Sequence, residues 1–415
     1  MRTVAFWASL ILIFVIPWEA IIMFPGLGTV SRMIGLAVAA FWLLTVAVTG
    51  GFRKPRAFHA VFFLFVLWNV LSAYWTIDVN PTVINIRTYL QLAVFVLLLW
   101  DLYTTPAAVK AGLQAYVFGA YVAIASLTAN FLSGSQATYA RYAAQGYNPN
   151  TIALVLALGV PAAFYLAASG GSSKKAQVLR LVNYAYVPAA IFAIALTGTR
   201  FALLATLPAF IFGIGSLGRL KPLSRILILV VVVGAFIALP SLIPQSSLQR
   251  LASTYAELSG GDLSGRVEIW RDGLAVLADH PLLGVGSAAF PSAIASGRSA
   301  HNTFLLVFTE LGIIGFSLFA IMLAMAFYYA IRQAKWDSGF SLTLLLVWTL
   351  GASALSWVTA KPTWLFLCLV IAGANLTTQS VKAGQRSGFS RESPGAARER
   401  SAIPEPRWAT QWRHK

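Results

Sequence analysis

Residues 299–331 read SAHNTFLLVFTELGIIGFSLFAIMLAMAFYYAI. From Asn302 to Ile331 the run carries a single charged side chain, Glu310. An apolar run longer than about 18 residues is long enough to cross a bilayer as a helix. His301 and Asn302 stand at the mouth of this run and Glu310 lies inside it. Polar and ionisable groups are costly at membrane depth, so their presence asks for a use. The rest of the chain has the same character. Of 415 residues 58% are hydrophobic and 10% charged, against about 25% charged in an ordinary soluble domain. The fold class implied is all-α, a polytopic transmembrane bundle.

Scanning outward gives about twelve expected spans, at 4–24, 29–49, 57–75, 83–103, 107–132, 151–168, 181–198, 200–216, 224–243, 302–331, 338–358 and 362–378. The first could pass for a signal peptide, but its apolar part is too long and no small-residue cleavage site comes after it. Net charge is +17. The basic residues sit in short loops and the tail, which fits topology and anionic membrane lipids rather than nucleic acid. The clusters Arg53–Lys54–Arg56, Lys174–Lys175–Arg180 and Arg219–Lys221–Arg225, with the tail, fall on one side of this map. Both termini are therefore expected in the cytoplasm. The lone Cys368 excludes an internal disulfide and a thiolate metal site.

Two segments break the pattern. Residues 244–301 form one long loop on the non-cytoplasmic side. Within it GRVEIWRDGLAVLADH (265–280) reads as an amphipathic helix, with Val267, Trp270, Leu274 and Leu277 as its apolar face. Pro281, Gly284 and Gly286 then supply turn chemistry. Residues 379–415 are rich in Arg, Ser, Pro and Gly and are expected to be a disordered basic tail. No internal repeat is visible, which argues against an inverted-repeat transporter.

The candidate chemistry lies on the non-cytoplasmic side. Arg200, in LTGTRFALL, sits between two apolar runs with almost no loop. A span-end Arg usually snorkels to the interface. Here Gly198 and Thr199 permit a tight backbone break, and a fixed guanidinium beside it suits a phosphate. Arg266 comes after Ser264 and Gly265, with Ser264 the expected helix cap, and a helix N-terminus with an Arg is an anion-binding arrangement. An ordinary surface Arg is the plainer reading. Arg87 and Arg141 could enlarge a basic pocket, whereas nothing around Arg250, Arg271 and Arg298 points to burial. His301 reads as a hydrogen-bonding cap or, given an ordinary pKa near 6.5, as a general base. Glu310 is too far along the helix to orient it and is assigned a structural role. The histidines lack metal-binding spacing and no Asp-x-Asp pair is present. Outward cations, a base and a covering loop would suit transfer of a sugar from a lipid diphosphate, whose leaving group needs no acid. A flippase for such lipids is the rival reading, but the spans offer little polar lining besides Glu19 and Glu310.

The residues carry a resemblance. Gly265, Arg266, Trp270, then His280, Pro281, Gly284 and Gly286, then His301, Asn302, Glu310, Leu311 and Gly312 fill a pattern that resembles the O-antigen ligase and Wzy-type polymerase superfamily. TGTRF at Arg200 and the Asn-rich segment at Asn148 and Asn150 are similar to further parts of it. The signature spans 265–315 in a transmembrane domain of 1–378. The resemblance implies a C-type membrane glycosyltransferase fold in the bacterial inner membrane, with no metal and no cofactor. It implies an undecaprenyl-diphosphate-linked glycan as donor, bound through Arg200 and Arg266 at the periplasmic face. His301 would be the base and the anomeric centre would invert, with Asn302, Asn150 and Trp270 shaping the pocket. The acceptor is lipid A–core for a ligase, slightly preferred, or another lipid-linked glycan for an O-antigen or exopolysaccharide polymerase.

Overall fold

The computed structural model describes residues 1–389 apart from 139–140, 170, 172 and most of 219–239. It is mostly helical, with almost no sheet. Before the gap run α1 (Arg2–Val15), α2 (Val30–Thr49), α3 (Ala57–Leu71), α4 (Val79–Leu102), α5 (Pro106–Leu132), α6 (Pro149–Ala168), α7 (Lys174–Leu196) and α8 (Arg200–Leu217). After it come α9 (Gln245–Ala252), α10 (Thr254–Ser259), α11 (Arg266–Asp279), α12 (Phe290–Ala293), α13 (Thr303–Ile331), α14 (Lys335–Ala352) and α15 (Lys361–Phe389). A small antiparallel hairpin, β1 (Met23–Phe24) and β2 (Gly28–Thr29), joins α1 to α2.

Among the described residues eight helices are long and apolar enough to cross a membrane: α2, α3 with its extension to Tyr74, α4 to α8, and α13. Three shorter apolar helices, Arg2–Trp18, Asp337–Ala352 and Lys361–Ala374, coincide with three more of the expected spans. The span expected at 224–243 lies largely outside the described residues, as does most of the tail expected at 379–415; its first residues, 379–389, continue α15 as helix. The protein is thus a multi-pass membrane protein. Pro17 closes α1 in a single 3-10 turn, Ile16–Trp18, whereas Pro161, Pro188 and Pro208 are absorbed inside α6, α7 and α8.

α6 is apolar all round and forms the centre, packed by α5, α7, α8 and α14. Small residues set these contacts: a Cβ on Gly159 would overlap Tyr186, and one on Gly351 would overlap Leu154. Close approach through glycine is how membrane helices gain packing where water supplies no drive. The ends of the bundle differ. At one end Asp101, 1% exposed, meets Arg2 Nη2 at 2.6 Å and accepts the Trp42 indole N–H at 3.0 Å and the Arg53 amide at 2.8 Å. The Arg53 guanidinium lies 3.6 Å over the Trp100 ring. At the other end α9 to α12, within residues 245–293, lie over the helix mouths. The Ile77 amide donates to Val285 O there, and Lys361 Nζ meets Glu19 Oε2 at 2.6 Å.

Candidate active site

The site is built on the short turn between α7 and α8. α7 ends at Leu196, Gly198 takes a left-handed φ of 58°, and α8 starts at Arg200. Thr197 and Thr199 close the turn, with Thr197 Oγ1 donating to Thr199 Oγ1 at 2.8 Å. Arg141 reaches in from the α5–α6 connection. Its Nε donates to Thr197 O at 2.6 Å, and its Nη2 donates to Asn150 Oδ1 at 2.7 Å and Thr199 Oγ1 at 2.8 Å. Asn150 itself is set by Asn148, whose side-chain oxygen caps α6 by accepting the Asn150 amide at 2.9 Å.

Arg200 turns toward α9. Its Nε donates to Arg250 O at 2.6 Å and its Nη2 to Ser253 Oγ at 2.7 Å, so one guanidinium fixes the C-terminal end of α9 over the turn. Arg250 thereby joins the site. Its Nε is buried without a hydrogen-bond partner among the described residues. Arg266 begins α11, its guanidinium 5.1 Å over the Phe201 ring. The cap differs from the Ser264 expected. Gly265 at φ 80° is the N-cap residue, and Asp262 Oδ1 accepts the Gly265 amide at 2.9 Å. Leu263 and Ser264 both hold positive φ, and a chain winding through that region cannot present Ser264 as the cap.

Asn150, Thr199, Arg200, Arg250, Ser264 and Arg266 line one cleft of about 50 Å³. A water's share of liquid volume is about 30 Å³, so the cleft admits one small charged group and a glycan must extend outside it. The field there is strongly positive. Burial first, then the charges of Arg250, Arg266 and Arg200, push Arg141 down to about 10, still cationic at neutral pH. Burial likewise lowers Arg266. Arg200, Arg250 and Arg266 gathered in one cleft make a small anion a fitting occupant.

His301 precedes α13 with a left-handed φ of 46°, a conformation that costs a non-glycine residue and is concentrated at functional sites. Asn302 fixes the first turn of α13 beside it: its Oδ1 accepts the amides of Phe304 at 3.0 Å and Leu305 at 3.2 Å. Trp270 fixes the residue before it, the indole N–H donating to Ala300 O at 2.9 Å. The half-buried imidazole has no hydrogen-bond partner among the described residues. Burial, then Arg266 and Arg298, hold its pKa below the ordinary value, so it is neutral at pH 7 and can accept a proton.

Of the residues singled out from sequence, Arg200, Arg266 and Asn150 share the cleft and Arg141 braces it. The charge of Arg266 reaches His301. Arg87 does not join them; it lines a separate groove between α1, α2 and α4. Arg250 carries no such signal in the sequence, because only the fold shows that α9 lies across the turn. The apolar face of α11 matches the expected one only in part. Of the four residues expected on it, Val267 and Leu274 are exposed and Trp270 packs, joined on the packed side by Ile269, Gly273 and Val276 against Phe290, Ile294 and Leu305. A Cβ on Gly273 would come within 2.9 Å of Phe290, so a residue that weakens a helix locally is what lets α11 dock.

Glu310 and the glycines around it hold this assembly. α13 is interrupted at Gly312, at φ 63° and ψ −168°. The loop after α11 lies along the break: the Val285 amide donates to Thr309 O at 3.0 Å, the Gly286 amide to Glu310 O at 2.9 Å, and the Ile313 amide to Pro281 O at 2.9 Å. The Trp68 indole donates to Leu311 O at 3.0 Å. Groups freed by the break are thus satisfied by protein, as membrane depth requires. The buried Glu310 carboxylate accepts the Phe290 amide at 3.4 Å. This bears on the loop and not on His301.

No curated protein matches the chain. Residues 185–320, which include Arg200, Arg250, Arg266, Trp270, His301 and Glu310, match the family model described as Wzy_C, O-antigen ligase. The chain, a multi-pass membrane protein by its helices, is thus similar over these residues to the O-antigen ligase (Wzy_C) family, in keeping with the resemblance its signature carries.

Proposed function

We propose that this protein is a metal-independent, inverting glycosyltransferase that moves a glycan from an undecaprenyl-diphosphate carrier to an acceptor hydroxyl at the periplasmic face. The observation that carries the reading is the cleft where Arg200, Arg250 and Arg266 gather, with the charge of Arg266 reaching a neutral His301. In this reading the guanidinium groups hold the diphosphate and stabilise the charge that develops as it leaves. The acceptor oxygen bonds to the anomeric carbon, and the bond from that carbon to the diphosphate oxygen breaks. The acceptor proton passes to His301, and undecaprenyl diphosphate departs with the bonding pair. Arg141 and Asn150 hold the α7–α8 turn, and Trp270 and Asn302 hold the two sides of His301.

The acceptor is assigned as lipid A–core, making the protein an O-antigen ligase of the inner membrane. Sizing the products of purified protein tests it. Given only the lipid-linked oligosaccharide, without metal, a ligase leaves it unextended and transfers it once lipid A–core is added. A ladder of longer lipid-linked glycans from donor alone would make it a polymerase instead.

A further inference from the structure

Between α1, α2 and α4 lies a groove of about 650 Å³ that shares no lining residue with the Arg200 cleft. Both α2 and α4 run inward from the end that carries the site, since the start of α2 joins Glu19 and Lys361 while Thr82 Oγ1 on α4 donates to Ser287 O. Arg32, in the first turn of α2, and Arg87 on α4 are the groove's charged head. Below them the walls turn apolar, through Leu36 and Leu43 on α2 and Phe95 on α4. Leu36 and Leu43 are 50% and 52% exposed, so this wall opens sideways rather than into the bundle.

The charges there are unbalanced. Lys361, which also lines the groove, is paired with Glu19. Neither Arg32 nor Arg87 has a hydrogen bond or ion pair among the described residues. A single snorkelling Arg would need no explanation, but these come from different helices and meet over one apolar trough. The depth is informative. Leu43 lies eleven residues beyond Arg32, about 16 Å at a rise of ~1.5 Å per residue, roughly half of a ~30 Å hydrocarbon core. That is one leaflet.

We propose that this groove is a binding site for an anionic phospholipid of the leaflet at the site-bearing end. The lipid phosphate sits between Arg32 and Arg87, which provide forked donors for its oxygens. The acyl chains lie along Leu36, Leu43 and Phe95, where they replace neighbouring bilayer chains without loss of apolar contact. A free phosphate would satisfy the arginines alone, but it would leave the trough uncovered; the lateral opening and leaflet depth select a lipid.

Native mass spectrometry of the full chain, purified in detergent and incubated with phosphatidylglycerol or phosphatidylcholine, tests this. Phosphatidylglycerol is retained and phosphatidylcholine is not. The double variant Arg32→Ser, Arg87→Ser weakens retention roughly thirtyfold, the effect of losing two cations at an anionic lipid. Leu36→Trp, which blocks the trough and leaves both charges, weakens it as well. Equal retention of the two lipids, unchanged retention in the double variant, or displacement by water-soluble glycerol phosphate as effective as by the lipid would each overturn the site.

Discussion

His301 is held in a backbone conformation that disfavours it, between the Trp270 bond to Ala300 O and the Asn302 cap. Such strain persists only where the surroundings over-determine it. With His301 as the proposed base, its lowered pKa predicts an acid limb of kcat/KM below the ordinary imidazole value, because activity is then lost only as pH falls far enough to protonate it. Arg298 is one cause of that lowering, so Arg298→Ala raises the pKa of His301 and moves the limb to higher pH, read from the pH profile. Arg250→Ala removes a cation of the cleft and raises donor KM by roughly tenfold, with a smaller change in the pH limb. Residue types reveal only part of this site. Arg200, Arg266 and His301 stand out because charge beside apolar runs is conspicuous. Arg250 does not, because its neighbours in sequence, Gln249 and Leu251, say nothing of the turn that α9 covers.

At the scale of elements, the clasp between the post-α11 loop and the break in α13 ties Arg266 to His301. A Cβ on Gly312 would overlap Leu282 backbone, and one on Gly284 would overlap Glu310 backbone. Gly312→Ala therefore opens the clasp and costs transfer more than a surface glycine such as Gly134, beside which no atom lies within 4 Å. Thermal unfolding and turnover measured on both variants check this. The glycines and Glu310 are visible in the sequence as a pattern, but their purpose is not. The backbone bonds that use them join residues 281–286 to 309–313 across a helix break that periodicity does not reveal. The packed face of α11 shares Trp270 with the expected one but departs from it for a related reason: the contact runs through Gly273, which a search for apolar side chains skips.

For the whole molecule, class and most spans are legible because apolar runs of span length have few other uses. Which arginines meet is not, since Arg141 and Arg87, alike in sequence, are carried by the fold to different cavities. The end opposite the site supports the bundle. Asp101→Ala leaves the Trp42 indole and the Arg53 amide without their acceptor and should destabilise the protein by about 2 kcal/mol, seen as a lower Tm in detergent with turnover at low temperature retained. The central claim is that the guanidinium cleft binds the donor while His301 performs the proton transfer. It is tested most directly by measuring, on purified His301→Ala, both affinity for the undecaprenyl-diphosphate-linked glycan and rate of transfer. The account predicts unchanged donor affinity with transfer reduced by roughly 10²-fold or more; near-normal transfer by that variant would contradict it.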